Sequence, residues 1–476
     1  MMNIGISSVG LASAQGSVAD ILQSASLNKA SNLPWESGPW TTCRLCRPAR
    51  DIDASLSGKA RWQRLARLAL RDCLNGNSVV SGTPLIVASS NGAADKLEDT
   101  IWNNSFVTNG LFQDTPWEGQ RLPMISGSCA SGLQALCIAS RLLESGHEQV
   151  FVLATDILSR ANHENFEALR VLHSQPTPWQ STNAGFIPGE AAVALQLTKY
   201  SGNTALLSGP ALGQEEGLSS TLGAVSTPTP ELIIGQGSGP ALTDNFELNE
   251  VKCHVNMQVP LTTPLLHFGH TNGASGLLSI ALAALMHKTS TRLPVLSMEH
   301  PTASDGRSLA NHAASRDTMV ICRALSGACA AARVGGAALT TTANNPNGKN
   351  WATLSTRTPL INPILRQIAE KAAQHRPLQP PDLLLVRLER PILPLKTAQI
   401  GGRLLPSAIL EITPGFIPQL IARCWGFLGA AICVVGDEDT ETAANEMIQA
   451  CRASGLMVCL VEIRGSGEKR HVHWNI

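Results

Sequence analysis

The stretch Ile125–Leu136, ISGSCASGLQAL, sets a cysteine among small residues where an extended segment becomes a helix. Leu122–Ser126, LPMIS, reads as a short buried strand. Leu133, Leu136 and Cys137 then recur at helical spacing before a stop at Gly146. Ser126, Gly127, Ser128, Ala130, Ser131 and Gly132 leave steric room around Cys129 on both sides. Cys129 is thereby placed near a helix N-terminus, where unpaired N–H groups and the helix dipole favour a thiolate. A thiolate is the form that attacks carbonyl carbon. Free cysteines are also often buried for packing alone, and this stretch by itself leaves both roles open.

The rest of the chain narrows the choice of class. Its 476 residues are 43% hydrophobic, enough for one large core or several ordinary ones. Lys plus Arg and Asp plus Glu number 36 each, so bulk electrostatics argue against a nucleic-acid or polyanion partner. No run of about 18 consecutive apolar residues occurs, and no membrane span is expected. Met1–Gly16 is apolar and small without a basic leader, and reads as a first strand and turn, not a signal peptide. Twelve cysteines are scattered without a framework, which fits a reducing cytoplasm. Cys43 and Cys46 have CxxC spacing but no second pair follows. An incidental loop pair is the better reading there, and no metal is expected.

Strands and helices alternate along the chain. Lys59–Leu74 reads as a helix whose apolar stripe is Trp62, Leu65, Ala66, Ala69 and Cys73. Arg61, Arg64, Arg67 and Arg71 fall largely off that stripe, as a solvated face or a docking face for an acidic partner. Thr83–Gly92 and Gln149–Asp156 read as buried strands, Asn162–Leu172 as partly helical, and Gly185–Leu197 as a turn and strand. The same grammar returns in Ala205–Gly213, Glu231–Gly239, the loop and helix of Leu265–Thr289, and two strand-like pieces, Met319–Gly327 and Val334–Thr342. This is an α/β pattern in two halves, 1–200 and 201–343, without a clear sequence repeat. Residues 344–380, rich in Asn, Pro and Gly at their start, read as a linker. Residues 381–476 carry a further strand and helix pattern, expected to fold as a small α/β extension with no reactive constellation.

Three loops stand out, each after a strand: GSCASG with Cys129, GQGSGPALTDNFE with Gln236, and FGHTNGASG with His270. A histidine led out of a loop by Gly269 and followed by small residues can hydrogen-bond a thioester carbonyl or shape the surroundings of a thiolate. Together these motifs resemble the β-ketoacyl synthase family, within the thiolase-like fold of duplicated αβαβα layers. SCASG stands where the family has ACASG, GFIPGEAA where it has a GF-to-GEGAA stretch, and GHTNGASG where it has its GH motif. The resemblance covers about residues 1–343, and rests on order and spacing, since no single motif suffices.

The departures are as informative. The family's HGTGT histidine is Gln236 here, although Gly237, Gly239, Asp244 and Glu247 keep register. The family lysine before the GH histidine falls at Leu265, and the GFGG turn is matched to ACAA, Ala328–Ala331. The resemblance assigns Cys129, His270 and Gln236 to catalysis and Phe166, Gly237 and Gly239 to substrate binding. It implies no resident cofactor, because acyl groups arrive on the phosphopantetheine of an acyl carrier protein. It also implies a homodimer, or a heterodimer with another ketosynthase.

Gln236 donates a hydrogen bond but cannot serve as a base or become cationic. Three readings therefore stay open: a condensing acyltransferase, a non-elongating transacylase acting through acyl-Cys129, and a non-catalytic partner like a chain-length factor. The retained cysteine argues against the third reading, and the lost lysine and altered turn argue for it. Residues 381–476 lie beyond the resemblance and carry no readable motif, which leaves carrier docking, the remnant of another synthase-like half, or a brace for the dimer.

Overall fold

The structure is a computed structural model. It describes residues 2–23, 33–34, 45–76, 79–90, 92–94, 112–179, 185–289, 293–295, 312–313, 315–335, 360, 362–389, 399–400, 403–404, 411, 413–465 and 470–475. Among the described residues, ten strands build the main sheet of the first part: β1 (Ile4–Ser13), β2 (Leu85–Ala88), β3 (Met124–Ile125), β4 (Gln149–Asp156), β5 (Ala191–Lys199), β6 (Ala205–Gln214), β7 (Leu232–Ile234), β8 (Leu261–Thr262), β9 (Asp317–Arg323) and β10 (Ala328–Gly335). β1-β5-β4-β2-β3 and β6-β10-β9-β7-β8 are neighbours in that order. These are the same topology used twice, so the duplication expected from the motifs lies in the strand order. The two sets join where Ile4–Ile6 of β1 pairs antiparallel with Ala205–Leu207 of β6.

Two helices lie between the sets. α2 (Ser131–Glu144) and α5 (Ser275–Lys288) follow β3 and β8, and nearly every residue in them is buried. A helix apolar on all sides belongs in an interior layer. Glycines set their spacing: a Cβ on Gly132 would stand 3.0 Å from Leu277 Cβ, and one on Gly276 would stand 2.9 Å from Leu133 Cγ. The small residues of both elbows thus let two helix starts cross at close range. α1 (Gly58–Leu74) covers the outer face of the first set with Trp62, Leu65, Ala66, Ala69 and Cys73, as its stripe predicted. Two further helices bear on the site, α3 (Arg160–Ala168) and α4 (Ala241–His254).

The C-terminal residues add α6 (Pro363–Gln374), β11 (Leu383–Leu388), α7 (Phe416–Trp425), β12 (Ala430–Val435), α8 (Glu441–Ala453), β13 (Val458–Arg464) and β14 (His471–Asn475). Their strands continue the sheet past β3 in the order β12-β11-β13-β14, which makes it 14-stranded. α6 lies inside the stretch expected to be a linker, and packs with α7 on the outer face.

Two further expectations change in detail, and a third is only partly covered by the described residues. Arg61 is not on a solvated face: its guanidinium is buried and forms a two-pronged ion pair with Glu190, 2.8 and 2.5 Å. Only Arg71 at the end of that series is exposed. The last hairpin is Asp317–Arg323 and Ala328–Gly335, so ACAA lies within β10 and the turn itself is Ala324–Gly327. Of the CxxC pair, Cys46 is buried, and Cys43 lies outside the described residues.

Candidate active site

Cys129 stands between β3 and α2, held by a backbone that few sequences would adopt. Ser128 before it has φ +53°, a left-handed conformation costly for a non-glycine residue and typical of functional elbows. The Ser131 hydroxyl fixes the turn, accepting from Gly127 N–H at 2.8 Å and donating to Ser128 O at 2.6 Å. A side chain at Gly127 would collide with Gln134, whose Oε1 lies 2.1 Å from the Cβ position. The Cys129 sulfur is reached by two backbone N–H groups, its own and that of Leu325 in the β9–β10 turn.

The helix start does not by itself make a thiolate here. Burial pushes the Cys129 thiol up to about 12, and the buried Asp156 carboxylate adds to the rise, against the two N–H donors. Desolvation of the charged form exceeds the local stabilisation, so the resting sulfur is a thiol, contrary to the expectation from helix position alone.

His270 Nε2 lies 3.5 Å from Cys129 Sγ. The Asn272 N–H donates to Nδ1 at 3.3 Å, so the neutral ring carries its proton on Nε2, facing the sulfur. Burial lowers the His270 pKa to about 4 and keeps the ring neutral. Its backbone is clamped to the GFIPGE stretch: His270 N–H donates to Ile187 O at 2.8 Å and Gly189 N–H to His270 O at 3.0 Å. Asp156 at the end of β4 ties the two elbows together. Its carboxylate accepts from the Gly273 N–H at 2.7 Å, the Ser90 N–H at 2.8 Å and the Ser89 hydroxyl at 2.6 Å.

Gln236 and His270 line one narrow cleft, with Leu265 and Thr263. The Gln236 loop is moored to α4. Glu247 Oε1 accepts from Gln236 N–H at 3.0 Å and from Gly237 N–H at 3.3 Å, and Asp244 accepts from Gly239 N–H at 2.9 Å. Burial raises the Glu247 pKa to about 7, while Arg323, 3.9 Å away, opposes the rise. The Cys322 thiol lies 3.1 Å from Cys129 O and 3.3 Å from Gln236 Oε1, and so links the two elements. Gly237 and Gly239 sit under neighbouring groups. Their Cβ positions would stand 2.8 Å from the Trp179 ring and 2.3 Å from Gly185 O, a packing reason for glycine at both.

Phe166 from α3 meets the His270 ring edge-on at 5.6 Å, and Phe186 stacks on it at 4.4 Å. Leu265 joins Phe166, Val171 and Phe186 in one apolar cluster and lines the cleft with Gln236 and His270. The fold thus brings together Cys129, His270 and Phe166, with Gln236 attached through Cys322. Sequence reasoning missed Phe186, Cys322, Leu325 and Asp156 as site residues. Only Phe186 carried a signal, as the aromatic of GFIPGE.

No family model matches the chain, and no curated protein does. Solved structures do. The PfaC keto synthase–chain length factor superposes with a TM-score of 0.71 at 12% identity, over 98% of this chain and 74% of that one. The fold is that of the ketosynthases. A β-ketoacyl synthase from Burkholderia phymatum matches with a TM-score of 0.54 at 16% identity, over 71% of this chain and all (100%) of its own. AntDE:AntF, a ketosynthase in complex with its type II acyl-carrier protein, matches with a TM-score of 0.59 at 16% identity, over 71% and 100%. The likeness to PfaC therefore takes in the C-terminal unit, beyond the 71% matched by the Burkholderia synthase. Among the described residues, no helix is long and apolar enough to cross a membrane.

Proposed function

We propose that this protein is a ketosynthase-type acyltransferase that takes an acyl group from a carrier thioester onto Cys129. The reading rests on one observation, the Cys129 sulfur set 3.5 Å from His270 Nε2 and within reach of two backbone N–H groups. The Cys129 sulfur loses its proton and attacks the thioester carbonyl. The oxyanion that forms is held by the N–H groups of Cys129 and Leu325, an arrangement of the kind that removes several kcal/mol from such barriers. The bond from the carbonyl carbon to the carrier sulfur breaks, and the carrier thiolate leaves with the proton that Cys129 gave up. Phe166, Phe186 and Leu265 offer the acyl chain an apolar wall.

The second half of the reaction divides two outcomes. In transfer, a thiol, hydroxyl or amine acceptor attacks acyl-Cys129. In condensation, a malonyl thioester loses carbon dioxide and its enolate attacks. An enolate oxygen needs paired donors; His270 Nε2–H supplies one and the Gln236 amide takes the place of the other. Two features support transfer as the main activity: Gln236 has no cationic form, and Leu265 puts hydrocarbon where the family has a lysine. The donor is an acyl carrier protein, and the pathway class is fatty acid or polyketide assembly.

Intact-protein mass spectrometry with acyl-carrier thioesters, with and without malonyl-carrier, tests this. A Cys129-dependent adduct that malonyl-carrier leaves in place is the expected result. A product two carbons longer makes the protein a condensing enzyme. No adduct at all transfers the protein to the partner-subunit reading.

A further inference from the structure

We propose that residues 363–475 are a second, nucleophile-free copy of the unit formed by residues 58–199, and that this copy fills in cis the β3 edge, which would otherwise stand open to pairing with a second copy of the chain. β12-β11-β13-β14 repeats β3-β2-β4-β5 in order. It repeats it in sense too: β2 is parallel to β3 and β4 as β11 is to β12 and β13, and β5 is antiparallel to β4 as β14 is to β13. The register agrees residue by residue. Ala88 stands opposite Ile125 and Ala154, and Leu388 opposite Val435 and Ile463. Ala154 then faces Val193, as Ile463 faces Val472. Ile125 and Val435 are thereby equivalent, and Met124 and Val434.

The join obeys the same equivalence. Ile125 pairs with Val434 and Met124 with Val435, antiparallel. Exchanging the two copies turns each pair into the other, which is the mark of an isologous two-fold contact. α2 starts six residues after Ile125, at Ser131, and α8 six after Val435, at Glu441. The two helices pack on each other across the join. Cys129, four residues past Ile125, is matched by Asp439, four past Val435.

The second copy is finished as a half. α2 is buried all round because α5 and the second strand set lie beyond it. α8 buries Ala444, Met447, Ile448, Ala450 and Cys451 and exposes Thr442, Asn445, Glu446 and Gln449. β5 is mostly buried, whereas β14 exposes His471, His473 and Asn475. Polar side chains occupy the faces that a further layer would cover, so this copy calls for none. It also touches the elbow directly. A Cβ on Gly415 would stand 2.8 Å from Gly127 Cα and 2.9 Å from Ser126 O. Ser126 N–H donates to Cys433 O at 3.0 Å, and the Gln134 amide to Ala431 O at 3.1 Å.

Hydrogen exchange across residues 124–131, read beside sedimentation, tests the inference without using activity, so its failure and the failure of the acyl-transfer reading are separate results. The expected result is a 50.4 kDa species whose protection at 124–131 is unchanged over roughly a hundred-fold dilution, as an intramolecular contact requires. Protection that falls as a dimer dissociates means another copy fills that edge, and overturns the inference. In the full chain, Gly415→Leu drives a side chain into the elbow backbone and is expected to speed exchange at 124–131 by roughly ten-fold or more, with β4 unaffected. A folded Gly415→Leu protein with unchanged exchange at 124–131 also overturns it. Should that variant not fold, the dilution series on the unmodified chain decides.

Discussion

In residues 58–199 the strand before the interior helix runs out at Cys129, 8% exposed and facing His270. In residues 363–475 the matching strand runs out at Asp439, whose side chain is 54% exposed and pairs with Arg121. The local frame is shared: a short strand, a turn of a few residues, and a helix start. What differs is what stands opposite. Cys129 faces the elbow of β8 and α5, with His270, and the β9–β10 turn, while among the described residues no such layer covers Asp439. A nucleophile elbow on this fold is therefore half a site, and the other strand set supplies the donor and the wall. The ion pairs follow the same division. Arg61 and Glu190 are buried together, whereas the buried Arg387 meets carboxylates that stay open to solvent, Glu441 and Glu462, along a surface groove.

The largest effect tests whether the frame alone makes a nucleophile. Cys129→Ala is expected to abolish the acyl adduct in intact-mass measurements, and adding Asp439→Cys is expected not to restore it. An adduct on residue 439 would show that the opposing layer is dispensable. Next comes Arg61→Met, which leaves Glu190 buried without its partner. Removing one member of a buried pair costs about 3–5 kcal/mol, read as a lower urea midpoint at unchanged slope. A loss under about 1 kcal/mol would place the pair among surface bridges and dissolve the contrast between the copies.

Gln236→His sharpens the account of the opposing layer. Where a missing donor limits enolate formation, its return is worth on the order of 10²–10³ in rate, read as carbon dioxide release from malonyl-carrier. An unchanged rate moves the deficit to Leu265. The mooring of the same loop has a pH signature. Glu247 has its pKa raised from 4.5 to about 7 by burial, so in the folded state it holds its proton through that window and the unfolded chain does not. Stability from this group is full below the lower value, falls as pH rises toward 7, and is flat beyond. Glu247→Gln is expected to flatten that part of the stability profile, and denaturant midpoints across pH check it.

Much of the first copy could be read from residues, because its burial is written in local pattern. Val150–Ala154 is a continuous apolar run within a strand covered on both faces, and the small residues around Cys129 and His270 marked both elbows. The rest depends on partners far apart in the chain. Arg61 looked like a surface charge because Glu190 is 129 positions away. Cys322 and Leu325 lay in an ordinary strand and turn until the hairpin aimed them at Cys129. The sequence left a second half as only one of three readings of residues 381–476, because equivalent positions share burial and not side chain: Ala88 answers to Leu388, and Cys129 to Asp439. Ser128 at positive φ gave no warning either, since the conformation is imposed by the Ser131 hydroxyl and by packing.

The smallest effect belongs to the second copy. Glu441 is held below its usual range by hydrogen bonding and attraction to Arg387, yet its side chain is 42% exposed, and water screens such a pair. Glu441→Gln is therefore expected to cost about 0–1 kcal/mol. A depressed carboxylate stabilises above its ordinary pKa and loses that contribution as pH falls through the lowered one, so the slight deficit is expected near neutrality and fades as pH falls below the ordinary carboxylate value of 4.5. That sign is opposite to the one at Glu247, because one carboxyl is shifted by its own burial and the other, itself exposed, by the Arg387 guanidinium beside it. A loss as large as that of Arg61→Met would mean that the groove around Arg387 is closed in solution. The second copy would then have a buried polar centre of its own, and the division between a chemical half and a bracing half would have to be redrawn.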